Sequence, residues 1–314
     1  MNNLKTLSFL IISFVTFFIN LEAKDDWPIL KGPYLGQKPP GKTAEPFAPG
    51  IVNTNNHDYH SDFYFDDHFF IFKRSKRRGQ SRILVTMMRD GVWTPLRESP
   101  HEGKPWYHNY PFAEAGRVIY FAWRGPVGEI HASYDLNIWV VKKKATGWSK
   151  PVLLKSPVNT SSYDTWASAA ENRTIYFFSG RAGGFGKSDV YRSKLKNGAH
   201  HNVENLGQHI NTEFTDNDPY IAPDERFLIF CSNRPGGMGK LDMYIAFMKP
   251  DGSFTKPVNM GSAVNSSAHE ERPYVTPDGK YLFFTSTRNG CLDIYWVDAK
   301  IIDELKPKEL RKGD

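Results

Sequence analysis

Short apolar, aromatic-rich runs recur along the chain: Phe69-Phe70-Ile71-Phe72, Thr174-Ile175-Tyr176-Phe177, Phe227-Leu228-Ile229-Phe230 and Tyr281-Leu282-Phe283-Phe284. They are too short for helices and lack polar alternation, which predicts strands covered on both faces. Each run sits in the same setting. A short strand precedes it, as at 219–222, and ends in a turn such as Pro223-Asp224-Glu225 or Pro277-Asp278-Gly279. A third strand follows at Asp189-Val190-Tyr191, Asp242-Met243-Tyr244 and Asp293-Ile294-Tyr295, with Asn137-Ile138-Trp139 in the same place earlier. A turn and an aromatic then announce a fourth strand, at Asp90-Gly91-Val92-Trp93, Thr146-Gly147-Trp148 and Asp251-Gly252-Ser253-Phe254.

The pattern is an internal repeat. A basic residue after each central strand, at Lys76, Arg124, Arg181, Arg234 and Arg288, recurs every 48 to 57 residues. A four-stranded sheet that is apolar on both faces cannot stand alone. Sheets packed radially around an axis cover one another, so the repeat predicts an all-β fold, a single β-propeller of four-stranded blades. Five complete repeats favour five blades, with six possible. The fifth repeat lacks only an outer strand. The C-terminal Leu305-Lys306-Pro307-Lys308 is expected to supply it, leaving the Pro/Gly-rich N-terminal stretch to cover a face. The repeated arginines are expected to pair with the repeated aspartates, Arg234 with Asp242 and Arg181 with Asp189. The loops at Arg181-Ala182-Gly183-Gly184-Phe185-Gly186 and Arg234-Pro235-Gly236-Gly237-Met238-Gly239 join two strands, so their glycines are read as turn geometry and not as phosphate cradles.

Composition sharpens this. The 314 residues include 22 Phe, 15 Tyr and 8 Trp, which excludes a disordered chain. Residues 1–23 read as a secretory signal, with Lys5 ahead of an apolar run from Leu7 to Leu21. No later run is long enough to span a bilayer. The expected organisation is a signal at 1–23, an N-terminal extension at 24–57 that packs on or closes the ring, and the propeller at 58–314. Two cysteines, Cys231 and Cys291, could pair after export or stand apart. The net charge of +6 leans toward anionic partners. Export and the lack of a recognition helix argue against nucleic acid.

Segments such as DPYIAPDERFLIFCSNRPGGMGKLDMY and ERPYVTPDGKYLFFTSTRNGCLDIY resemble the WD40-like (PD40) β-propeller repeat of bacterial exported proteins, the family that includes the TolB propeller. The likeness is sharpest over 211–295. It implies a propeller in the periplasm or outside the cell. The wider group includes binding scaffolds, peptidase-associated propellers and polysaccharide lyases, so the resemblance implies fold more than activity.

In a propeller, the segment before each innermost strand lies beside the central channel. Those segments are Asp58-Tyr59-His60, His108-Asn109-Tyr110, Tyr163-Asp164-Thr165, Asp216-Asn217-Asp218 and His269-Glu270-Glu271-Arg272. Three readings of this rim follow. It could bind a polar ligand, with a glycan favoured, through Trp106, Tyr107, Asn109, Tyr110, Trp166, Asp216 and Asp218. It could be an enzyme, a polysaccharide lyase or glycoside hydrolase, with Tyr59, His60, His108, Asp164, Glu271 and Arg272 as catalytic candidates. It could be a wet channel on a scaffold that docks an envelope protein. His60, His108, His269, Asp216 and Glu270 could together hold a divalent metal such as Ca, Mn or Zn, although no local metal motif is present. A monomer is the expectation, and no cofactor is assigned beyond that possible metal.

Overall fold

The computed structural model describes residues 27–64, 68–76, 81–99, 113–115, 118–123, 136–145 and 149–311. Five antiparallel sheets stand around an axis as five blades. Each has an inner strand: His57–Tyr64, Ala113–Ala115, Asp164–Ala169, Asp216–Ile221 and Glu270–Val275. The aromatic runs form the second strands, at Phe69–Ser75, Val118–Trp123, Ile175–Ser179, Phe227–Ser232 and Tyr281–Ser286. Phe70, Phe121, Phe177, Phe230 and Phe283 are fully buried there, which fits strands covered on both faces. The third strands are Ser81–Arg89, Asn137–Lys142, Asp189–Ser193, Asp242–Phe247 and Asp293–Asp298.

The outer strands lie further along than the aromatic turns suggest. In the fourth blade Phe254 makes only an isolated bridge to Met248, and Val258–Asn259 forms the edge. Arg97–Glu98, Val152–Leu153 and Glu204–Asn205 are the counterparts in the first three blades. The Asp/Gly turns therefore close hairpins, and the edge strand begins a few residues later.

The fifth blade is completed from the N-terminus, which corrects the expected C-terminal strand. Glu45 pairs with Trp296 and Pro46 with Tyr295. Residues before and after this strand fill the seam between blades 5 and 1. Tyr34, Leu35, Phe47 and Val52 pack in one cluster with Phe63, Phe70, Trp93, Phe283, Ile294 and Trp296. Burying that much aromatic surface ties the first and last blades together. The C-terminal residues instead form a helix, Lys300–Leu305, and a short turn at Lys308–Leu310. Ile301 and Ile302 bury against the fifth blade.

The glycine loops are structural. A Cβ on Gly186 would lie 2.0 Å from the Phe214 carbonyl, and one on Gly239 would lie 2.3 Å from that of Ser266. Only glycine lets these loops press against the connection to the next blade. Cys231 and Cys291 are not joined in a disulfide. Among the described residues, no helix is long and apolar enough to cross a membrane.

Candidate functional site at the ring axis

Among the described residues, the rim segments run into the inner strands, and the segment at 108–110 lies outside them. Four of them form the first half of inner strands, because a β-bulge interrupts each strand and hides its alternation in the sequence. The register shifts fall between Tyr59 and Asp62, Thr165 and Ser168, Asn217 and Tyr220, and Glu271 and Tyr274.

Just before each bulge lies a repeated clip. Its acid is Asp58, Asp164, Asp216 or Glu270, and each carboxylate is wholly buried. One oxygen of Asp216 accepts the N–H and hydroxyl of Thr212 at 2.6 and 2.8 Å. The other meets Arg234 Nη2 at 2.6 Å. Thr54–Asp58–Arg74 and Thr160–Asp164–Arg181 repeat the arrangement, and Ser266–Glu270–Arg288 does so with a longer acid. The arginines also lie over the aromatics of their blades: Arg234 is 4.8 Å from the Tyr244 ring centre and Arg288 is 4.5 Å from that of Tyr295. A buried charge needs such partners, because removing it from water costs several kcal/mol.

The clip corrects three expectations. Asp242 and Asp189 do not pair with Arg234 and Arg181; they accept the N–H groups of their own glycine loops, as Asp189 does from Phe185 at 2.7 Å. In the first blade Arg74, not Lys76, fills the arginine place. Asp164, Asp216 and Glu270, read as catalytic, binding or metal-ligating candidates, have their oxygens taken up by the clip.

Two residues past each clip acid, the first bulge residue is His60, Trp166, Asp218 or Arg272. Their φ angles are +56°, +58°, +48° and +62°. This left-handed region costs a side-chain-bearing residue about 1 kcal/mol or more, and glycine would occupy it without that penalty. The four side chains converge across the axis. The His60 and Trp166 rings are 4.5 Å apart, although they belong to blades 1 and 3. The Arg272 guanidinium, from blade 5, lies 5.2 Å from the ring centres of both Tyr59 and Trp166. Its Nη1 is 2.7 Å from Glu271 Oε1. The His60 N–H points to Thr285 Oγ1 at 3.4 Å.

The cluster is graded in depth. Tyr59, Trp166, Glu271 and Arg272 are half-buried, while His60, Lys73 and Asp218 lie behind them, buried. Lys73 faces Tyr59 across the first blade, and Cys231 faces Asn217 across the fourth. Burial raises the Asp218 carboxyl to about 7, assisted by the negative charge of Glu271. Burial and then the charge of Arg272 lower Lys73 to about 8. Burial, with Arg272 and Lys73 adding to it, holds His60 well below the usual histidine range, so its ring is neutral. Behind the half-buried residues, the raised Asp218 carboxyl thus lies close to both the Glu271 carboxylate and the Arg272 guanidinium.

Of the sequence candidates, Tyr59, His60, Trp166, Asp218, Glu271 and Arg272 come together here. Trp106, Tyr107, His108, Asn109 and Tyr110 lie outside the described residues. His269 sits on the rim beside Leu241 and is not stacked into the cluster. Among the described residues, no group of three His, Cys, Asp or Glu side chains could hold a metal ion. Sequence reasoning missed Lys73 and Cys231, which lie on the second strands; only the cross-strand register brings them to the site.

No family model matches this chain, and no curated protein does. Solved structures share its fold. An endo-arabinase from Bacteroides thetaiotaomicron superposes with a TM-score of 0.50 at 11% identity, over 79% of this chain and 95% of that one. A putative TolB from Agrobacterium tumefaciens gives 0.47 at 16% identity, over 75% and 72%. TolB from Acinetobacter baumannii gives 0.47 at 12% identity, over 78% of this chain and 55% of that one, so the match spans about half its length. At these identities the likeness is one of fold.

Proposed function

We propose that the axial cluster is a ligand site and that its ligand is a glycan. One observation carries this reading: four inner strands place His60, Trp166, Asp218 and Arg272, all different, at a strained position where glycine would be cheapest. The backbone angle recurs in four blades and belongs to the fold, so it is the difference among these four side chains, which meet at the axis, that points to use. The chemistry suits a sugar ring. The half-buried Trp166 and Tyr59 offer faces for stacking, and Arg272, Glu271 and Asp218 offer donors and acceptors for hydroxyl groups. Isothermal titration against a panel of neutral and acidic oligosaccharides tests it. Binding should weaken at least about tenfold in Trp166→Ala, a loss of about 1.4 kcal/mol, while the melting temperature changes little. Failure of every oligosaccharide to bind at millimolar concentration would contradict it.

A second reading, glycoside hydrolysis, is favoured by the neighbouring carboxyls of Asp218 and Glu271. An acid that keeps its proton near neutrality beside an ionised partner is the pattern of general acid catalysis. Release of reducing ends from an oligosaccharide, abolished in Asp218→Asn, would establish it. We further propose that residues 1–23 are a cleaved export signal and that the ring works in the periplasm or outside the cell. An N-terminus at Lys24 in protein recovered from the envelope is the expected result.

A further inference from the structure

The turn before each outer strand carries an aromatic side chain at one fixed distance. Trp93 precedes Arg97–Glu98, Phe254 precedes Val258–Asn259 and, by sequence, Trp148 precedes Val152–Leu153 at the same interval. Trp93 and Phe254 are buried. In the third blade the edge is Glu204–Asn205, and the same place holds His200, 9% exposed. Phe254 meets Tyr176, from the second strand of the preceding blade, edge to face at 6.1 Å. His200 meets Tyr120, the tyrosine in the matching register one blade earlier, in the same manner at 5.7 Å. One inter-blade contact is therefore built twice, once with a side chain that cannot take a proton and once with one that can.

The His200 ring is engaged at both nitrogens. Nδ1 lies 3.2 Å from the Ser193 carbonyl oxygen, which can only accept, so Nδ1 carries the proton. Nε2, 3.3 Å from the Tyr120 hydroxyl, is then the bare nitrogen of a neutral ring and accepts that hydrogen bond. A second proton would place a cation beside the apolar cluster of Val118, Tyr120, Ile175 and Tyr191. The groups that face the ring are Tyr120 from the second blade, Arg173 from the turn before Ile175–Ser179, and His201 on the hairpin itself. None is a carboxylate that would stabilise an imidazolium. Burial lowers His200 to about 4, with the Ser193 bond opposing and Arg173 and His201 adding to it.

We infer that His200 makes the seam between the second and third blades a latch that acid releases, and that this seam opens before its counterpart between the third and fourth. The inference is independent of what the axis binds. The ring is neutral in the closed seam and free to take a proton once the hairpin at 195–200 swings out. Between about pH 4 and 6.5 the closed form binds fewer protons than the open one. The closed form is therefore fully favoured above that window and loses ground as pH falls through it. From pH 7 to pH 5 the opening constant should rise roughly twentyfold.

Native-state hydrogen exchange at pH 7 and pH 5, corrected for the intrinsic effect of pH on exchange, is the test. Protection of the amides in 195–200 should fall roughly twentyfold relative to those in 249–254, the turn that carries Phe254. His200→Phe installs the side chain of that turn and should abolish the difference while keeping the fold. A local readout is needed because His60, buried and neutral at the axis, adds to any acid unfolding of the whole molecule. If His200→Phe does not fold, the nitrogen NMR spectrum of the parent decides, and it should show a neutral His200 ring protonated at Nδ1 at pH 5. An imidazolium at pH 5 in the folded parent, equal loss of protection in the two turns, or an undiminished loss in His200→Phe would each overturn the inference.

Discussion

Two positions in the same inner strands, two residues apart, behave oppositely. The clip position holds Asp58, Asp164, Asp216 and Glu270, with nearly the same partners in each blade. The bulge position holds His60, Trp166, Asp218 and Arg272, which share only a backbone angle. Blades that must pack alike need the same clip, so sameness there is the mark of structure. The bulge is also common to all four strands and so belongs to the fold. Its side chains differ because they face the axis, the one place where blades are not interchangeable. Repetition within one chain thus separates what holds the ring together from what the ring presents.

The largest expected effect lies on the clip side. Asp216→Ala leaves Arg234 and the Thr212 N–H without their buried acceptor and should cost about 3 kcal/mol or more in urea denaturation. A loss under 1 kcal/mol would break the comparison. Arg181→Lys keeps the charge but loses the fork to Asp164 and Val158 and the stacking on Tyr191. It should cost about 1–2 kcal/mol, measured the same way.

The bulge side should show itself through pH. Asp218 faces Glu271 and Arg272 from the fifth blade and Cys231 from its own. Its carboxyl is raised in the fold, so the folded state binds more protons than the unfolded one between about 4 and 7. The stability this contributes is complete below that window and is lost as pH rises through 7. Parent protein should therefore lose stability relative to Asp218→Asn between about pH 4 and 7, by at most about 1.4 kcal/mol per pH unit, and the gap should level off above that, in denaturation curves taken from pH 4 to 8. A gap that does not change with pH would mean that the carboxyl is ionised throughout. The smallest effect is at Thr285→Val, which removes the long contact to the His60 N–H and should cost about 0.5 kcal/mol.

The strands and ring were legible because aromatic runs and turns repeat along the chain. The clip was legible in part. Val52-Asn53-Thr54, Val158-Asn159-Thr160, Ile210-Asn211-Thr212 and Val264-Asn265-Ser266 each precede the clip acid by the same interval. The asparagines bond the third strand of the preceding blade, as Asn211 does to Val190. That spacing was available in the sequence and explains why the acids serve the fold. Closure from the N-terminus was one of two alternatives the sequence left open, since a two-residue strand at Glu45–Pro46 has no period and its pairing is set by Phe47, Tyr34 and Leu35 filling the seam. The axial site was half legible. His60, Trp166, Asp218 and Arg272 could be named from their matched positions, but a bulge has no sequence period, so their place within the inner strands and their shared left-handed angle do not show in the sequence. Lys73 reaches them only through strand pairing.

The most direct test is urea denaturation of Asp218→Gly beside Asp216→Ala. Glycine relieves the left-handed angle and removes a buried carboxyl, so Asp218→Gly should unfold within about 1 kcal/mol of the parent, or later, while Asp216→Ala unfolds much earlier. If Asp218→Gly lost as much stability as Asp216→Ala, the bulge residues would be holding the ring together, and the axial cluster would be a part of the scaffold and not a site.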